Sequence, residues 1–346
     1  MKSRVERNSL AIINETPYLH PSMNSSQTFD LGIALSWHFD NEFVNIIESI
    51  ARSKDLTTYV VHAGNVNDTV AALQQGRLTF RYLLDRASDE NEAFLPLAEL
   101  FKDTQHNGIS QTRVINPYHL MARAADKATM HLELLAYGIR VPYTIILPPY
   151  LTHPQLKLSP DELTHLGSPF IIKPANTTGG GIGVVTDAKS PEDVLKTRQH
   201  HPTDKYLLQE TIRPAYLSED RGWFRVFYCF GTVIPCWWDD LTHVYEEVTD
   251  NQVTIFGLQP LRDIAATIAQ ICCLDFFSTE IVFTTTNTFI VVDYVNELCD
   301  MRLQSLHPDG VPDSVVQRIV ETLLSVVAQN HSSLRPATVA SDCFHS

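Results

Sequence analysis

The chain has 346 residues, long enough for two or three domains with their own cores. Hydrophobic residues make up 44% and charged residues 19%, the balance of an ordinary folded chain, and the formal net charge of −14 argues against a nucleic-acid surface, which needs basic patches. Apolar runs such as FIVVDYV fall far short of the ~18 residues that a membrane-spanning helix needs.

The start, MKSRVERNSL, is polar and has no signal-type apolar segment behind it. The six cysteines include no C-x-x-C pair, and several sit in apolar runs, which points to a reducing compartment and a cytoplasmic chain.

In chain order, residues 1–29 are rich in turn formers and read as an irregular arm. Residues 30–116 then alternate: LGIALSW predicts a strand, NEFVNIIESIARS an amphipathic helix, TTYVVHA a strand, VNDTVAALQQG a helix and TFRYLLDRAS a strand. That alternation predicts a small parallel α/β domain. DRAS (Asp85–Ser88) ends a strand, where either a substrate contact or a simple cap would suit it.

The segment 117–205 opens with a predicted helix. Met121, Ala124, Ala125, Ala128, Leu132 and Leu135 recur at helical spacing, Lys127 lies off that stripe as a solvated surface lysine would, and Gly138 stops the helix. VPYTIIL predicts a strand, and a Pro-rich connection leads to FIIKPANTTGGGIGVV (170–185). In 206–332, KYLLQETI predicts a strand and WFRVFYCFGTVIPCWW a hairpin turning at Gly231. LRDIAATIAQICCL predicts a helix, FFSTEIVFTTTNTFIVVDYVNEL two strands, and PDSVVQRIVETLLSVVAQNH a final helix before a tail at 333–346.

The glycine segment carries most information. A dinucleotide turn would need a helix after the glycines, and a Walker loop would need its lysine after them. Here a strand follows, and Lys173 precedes. What remains is strand, Lys-Pro, glycine loop, strand: a hairpin whose tip can fold over a polyphosphate, with a plain turn as the alternative.

Taken in order, Lys127 with GIRVP, FIIKPANTTGGGIGVV, YLLQETI, FRVFYCFG and STEIVF…FIVVDYVN resemble the ATP-grasp superfamily from about Leu31 to about Asn330. The resemblance is nearest to its carboxylate–amine ligases, the branch of glutathione synthetases and D-alanine–D-alanine ligases. It implies an α/β chain with α+β lobes: an ATP-grasp fold behind an N-terminal parallel α/β domain.

It also implies roles. Lys127 and Lys173 would meet ATP phosphates, while Thr178, Gly179, Gly180, Gly181 and Gly183 would close over them. Gln209, Glu210 and Ile212 would receive the adenine, and Glu219 or Asp220 the ribose. Arg225 would steady the transferring phosphoryl group, with Lys173 as the second catalytic cation. Glu280, Asp293 and Asn296 would hold Mg²⁺ through oxygen donors. Glu280 and Asp293 both lie in apolar strands, where an unpaired carboxylate is costly.

Two features depart from the superfamily pattern. Asp293 and Asn296 are three residues apart, on opposite faces of a regular strand, so that either the strand breaks at Tyr294–Val295 or Glu297 substitutes. WFR replaces the acid-x-Arg common around the arginine.

Past that strand, Asp300, Arg302 and Ser305 are candidate substrate contacts, with an Asp300–Arg302 structural pair as the alternative. Trp237, Trp238 and His243 either line the same cavity or pack in a core. The implied reaction is ATP-dependent amide formation through an acyl phosphate. A hydroxyl kinase and a non-catalytic nucleotide-binding regulator are the alternatives. Expected partners are small-molecule carboxylate and amine substrates, with no nucleic acid, no membrane, and a homodimer as a candidate assembly.

Overall fold

The structure, a computed structural model, describes residues 26–102, 112–177 and 181–332. The predicted tail, nearly all of the predicted arm, Thr178, Gly179 and Gly180 lie outside the described residues.

The N-terminal part comprises β1 (Gln27–Leu35), α1 (Asn41–Ser53), β2 (Thr58–Val61), α2 (Val66–Gln74), β3 (Leu78–Arg86), α3 (Leu95–Leu100) and β4 (Arg113–Ile115). Its sheet runs β2-β1-β3-β4, and every pairing is parallel. β1 starts inside the segment read as an arm, since Gln27 already pairs with Leu78. Side chains alternate across the sheet: Leu31, Ile33 and Leu35 pack with Phe43 and Ile47 of α1, while Ala34 packs with Phe80, Leu83 and Phe94.

DRAS is a cap. Asp85 accepts the backbone N–H groups of Ala87 and Ser88 at 3.0 Å each, and Arg86 grips buried Asp40 at 2.7 and 2.8 Å. Arg86 also donates to the Cys299 carbonyl at 3.1 Å, tying this sheet to the C-terminal part.

The long helix predicted from Met121 to Leu135 is two helices, α4 (Tyr118–Ala125) and α5 (Lys127–Ala136). Asp126 stands between them in extended conformation and caps α5, accepting from Ala128 and Thr129 N–H at 3.0 and 3.2 Å. The break turns the apolar face. Ala128, Met130 and Leu134 are buried, whereas Leu132 and Leu135, counted in the predicted stripe, are 59% and 50% exposed.

The central sheet is built from β5 (Thr144–Leu147), β6 (Phe170–Pro174), β7 (Val185–Ala188) and β8 (Tyr206–Glu210), in the antiparallel order β5-β8-β6-β7. It therefore takes a strand from beyond residue 205, where the sequence reading placed a boundary. Two short helices cover it, α6 (Pro160–Leu166) and α7 (Pro191–Arg198), each opened by a Ser capping box with Pro in the first turn.

A small hairpin, β9 (Tyr216–Leu217) and β10 (Asp220–Arg221), leads to β11 (Trp223–Cys229), β12 (Thr232–Trp238) and β13 (Tyr245–Glu247). After α8 (Asp250–Phe256) and α9 (Gln259–Cys272) come β14 (Phe276–Phe283) and β15 (Phe289–Asn296). This antiparallel sheet runs β13-β12-β11-β14-β15. The last helix, α10 (Asp313–Ser332), buries Val315, Ile319 and Leu323 in one core with Leu31, Ile33, Phe227 and Cys229, joining the first sheet to the last. Among the described residues no helix is long and apolar enough to cross a membrane. Cys229, Cys236, Cys272 and Cys299 are buried free thiols and Cys273 is exposed; Cys343 lies outside the described residues.

Candidate active site

Three adjacent strands set up a row of charge. In register, Arg225 of β11 stands beside Glu280 of β14, which stands beside Asp293 of β15. Arg225 donates from Nη2 to Glu280 Oε1 at 2.5 Å, and Trp223 donates from Nε1 to Glu280 Oε2 at 3.2 Å. Asp293 Oδ1 accepts from Lys127 Nζ at 2.8 Å.

The spacing of Asp293 and Asn296 is resolved by an irregular register. Asp293 pairs with Glu280 and Asn296 with Ser278, so three steps on β15 match two on β14. The strand does not break at Tyr294–Val295; it carries an extra residue there, as in a β-bulge. Partners directly opposite in a sheet share a face. Asp293 and Asn296 therefore lie on one face with Glu280 and Ser278, and Glu297 falls just past the strand end.

The lysines arrive from other elements. Lys127 is the first residue of α5, and its N–H donates to the Ala175 carbonyl at 3.0 Å, which fixes the helix start against the end of β6. Lys205 pairs with the capping residue Asp126. Lys173, near the end of β6, donates to the Val292 carbonyl at 3.1 Å, and its ammonium lies 5.4 Å from the centroid of the Tyr294 ring.

Ionisation follows from this crowding. Burial acts to lower the Lys127 ammonium, but Asp293 together with Glu297 and Glu280 outweighs it, and the net shift is upward. Burial, opposed by Asp293 and aided by Lys127, pushes Lys173 down to about 8. Asp293 stays well below the usual carboxylate range: burial acts to raise it, and Lys127 and Lys173 overcome that. Burial raises Glu280 despite Arg225, and raises Glu297 to about 7.

The glycine loop leaves β6 through an anchor. Asp204 accepts from Asn176 N and Nδ2 at 2.9 and 2.8 Å and from Thr177 Oγ1 at 2.8 Å. Gly181 and Gly183 both have φ of +77°, which side-chain-bearing residues rarely adopt.

Other predicted residues sit elsewhere. The Gln209 side chain points inward and donates to Thr144 and Tyr294, while Glu210 accepts the Tyr143 N–H at 2.7 Å. Ile212 is half-buried just past β8. Glu219 is exposed at the tip of the β9–β10 hairpin and Asp220 is its exposed neighbour; neither joins the charged row. Arg302 is held by Asp300 at 2.7–2.8 Å and by Asp309 at 2.9 and 3.2 Å, the structural pairing that sequence left open. Ser305 donates its N–H to Asp313 at 3.1 Å.

The two tryptophans divide. Trp237 packs on Phe224 in the core, whereas Trp238 lies 4.9 Å from the Arg225 guanidinium and stacks on His243. Sequence reasoning missed Trp223 as a partner of Glu280, and missed Tyr294 and His131 altogether. The replacement of an acid by Trp223 was the one available signal.

The residues fit a magnesium nucleotide. Lys127, Lys173 and Arg225 against Glu280 and Asp293 leave one net positive charge, and Arg225 Nε is buried with no hydrogen-bond partner among the described residues. Glu280, Asp293 and Asn296 offer only oxygen donors, the chemistry that Mg²⁺ takes together with phosphates. Among the described residues no group of three His, Cys, Asp or Glu forms a metal cluster.

No protein-family model matches the sequence, and no curated protein matches it either. Solved structures do. The chain is similar to a D-alanine–D-alanine ligase from Bacillus anthracis, solved with ATP, at 14% identity and TM-score 0.58, over 87% of this chain and 99% of that one. It is similar to the ATP-grasp ligase PsnB, solved with a precursor peptide and AMPPNP, at 14% identity and TM-score 0.57, over 89% and 100%. A RimK domain ATP-grasp protein from Sphaerobacter thermophilus matches at 19% identity and TM-score 0.54, over 84% and 98%. With a parallel N-terminal sheet, a glycine-loop sheet and a C-terminal antiparallel sheet, and with 84–89% of its length matched to these structures, this chain has the ATP-grasp fold.

Proposed function

We propose that the chain is an ATP-dependent ligase that joins a carboxylate to an amine through an acyl phosphate. The observation that carries this reading is the convergence of Lys127, Lys173 and Arg225 on the opposed carboxylates Glu280 and Asp293, beside a glycine loop. Similarity to ligases solved with ATP or AMPPNP supports it.

Glu280, Asp293 and Asn296 would hold Mg²⁺, which when bound supplies charge neutralisation at the nucleotide phosphates. Lys127 and Lys173 would orient those phosphates as point charges, and the backbone N–H groups of the glycine loop would cover them. Arg225, anchored by Glu280, would stabilise charge on the transferring group, so catalysis rests on positioning and electrostatics.

A carboxylate substrate is already ionised at neutral pH and needs no general base to attack phosphorus. Its oxygen would take the γ-phosphoryl group with loss of ADP. The amine would then attack the activated carbonyl carbon, expelling phosphate and leaving an amide. The substrates are proposed to be amino acids or peptides, in line with the precursor peptide bound to one similar structure. A screen of amino acids and short peptides, reading ADP, phosphate and amide together, tests this. Equal yields of all three support it, and a phosphorylated hydroxyl product with no free phosphate contradicts it.

A further inference from the structure

Tyr294 lies in the irregular stretch of β15 between Asp293 and Asn296, and it is fully buried. Gln209 and His131 reach its hydroxyl, and Thr144 stands beside it as a third polar neighbour. Gln209 Nε2 donates to it at 2.6 Å, and His131 Nδ1 lies 2.7 Å away. The second Gln209 amide hydrogen goes to Thr144 Oγ1 at 2.9 Å. With Gln209 donating, the hydroxyl proton of Tyr294 is left free to go to His131 Nδ1. Burial, and then the Lys173 charge, keep His131 neutral, which this arrangement needs.

The ring of Tyr294 carries a second relationship. Lys173, 7% exposed, holds its ammonium 5.4 Å from the ring centroid and has the Val292 carbonyl as its one hydrogen-bond acceptor among the described residues. An ammonium has three donors. One is used here, and the aromatic face attracts the charge without consuming another. The ammonium is thus held in place with donors to spare, which is what a phosphate ligand requires.

We propose that Tyr294 is a positioning residue for Lys173: its ring seats the ammonium, and the Gln209–Tyr294–His131 chain fixes the ring. This rests on the reading above that Lys173 meets the nucleotide phosphates. It also links the two lobes, because Gln209 belongs to the central sheet and Tyr294 to the strand that bears Asp293.

The test is a double-mutant cycle read by calorimetry, with a non-hydrolysable ATP analogue plus Mg²⁺ and, separately, adenosine. Tyr294→Leu, which removes the ring, should weaken the analogue by roughly three- to thirtyfold. Tyr294→Phe, which keeps the ring and loses the hydroxyl, should weaken it less. In a Lys173→Ala background neither change should weaken the analogue further, and adenosine affinity should be the same throughout. Equal weakening in both backgrounds, or loss of adenosine affinity in parallel, would make Tyr294 merely structural and overturn the proposal. Should Tyr294→Leu fail to fold, Tyr294→Phe carries the same cycle. Wild-type protein that binds adenosine but not the analogue would overturn the phosphate role of Lys173 itself, and this one with it.

Discussion

Glu280 and Asp293 stand opposite one another on β14 and β15, and each is held by a cation from a different element: Arg225 from β11 for Glu280, and Lys127 from α5 for Asp293. The consequence is interdependence. Neither carboxylate can be removed without leaving a buried or half-buried cation short of its partner.

Glu280→Gln keeps the shape of the side chain and removes the charge that faces Arg225. Stability should fall by about 2–4 kcal/mol, because a buried guanidinium loses its counter-charge. Turnover should fall by roughly a hundredfold or more, and added Mg²⁺ should not restore it. Urea unfolding and steady-state rates check both effects. An unchanged rate would remove Glu280 from the site.

Gly183→Ala and Gly181→Ala separate strain from collision. Both positions have φ of +77°, yet a Cβ at Gly183 would lie 3.2 Å from Pro174 and 3.3 Å from His201, whereas none of the described residues lies within 4 Å at Gly181. Each should lose about 1 kcal/mol from backbone strain, with Gly183→Ala the worse of the two. KM for ATP should rise more for Gly183→Ala than for Gly181→Ala. The reverse order would argue that loop closure does not depend on this contact.

His131 gives the fold an acid limit. Burial first, and then Lys173 of β6, lower its pKa from 6.5 to about 4, with Tyr294 of β15 on its other ring contact. The folded state therefore resists a proton that the unfolded chain accepts. Stability is full above pH 6.5 and falls as pH drops toward 4, by at most about 3 kcal/mol from this residue. His131→Gln should flatten that stretch of the pH–stability curve. A curve of unchanged slope would contradict the assignment.

Much of this arrangement was legible in the sequence. The parallel N-terminal sheet followed from alternating patterns, and the glycine hairpin followed from Lys173 preceding its glycines. Two failures have physical causes. Helical periodicity carried straight across Asp126, because a capping residue with a short polar side chain does not interrupt an apolar count; only the cap shows that α5 begins anew at Lys127. Strand periodicity put Asp293 and Asn296 on opposite faces, because a period of two has no term for an inserted residue. The Tyr294 chain was invisible for the same reason, and because its partners come from 85 and 163 residues away.

A substrate carboxylate that attacks the γ-phosphorus of ATP hands one of its own oxygens to the phosphate that is later released. Once the screen has identified a substrate, the most direct measurement is the fate of ¹⁸O placed in its carboxylate. One ¹⁸O atom is expected in each phosphate released, carried there when the acyl phosphate breaks, with ADP and amide formed in equal amount. Phosphate free of label, or label retained entirely in the product, would contradict it.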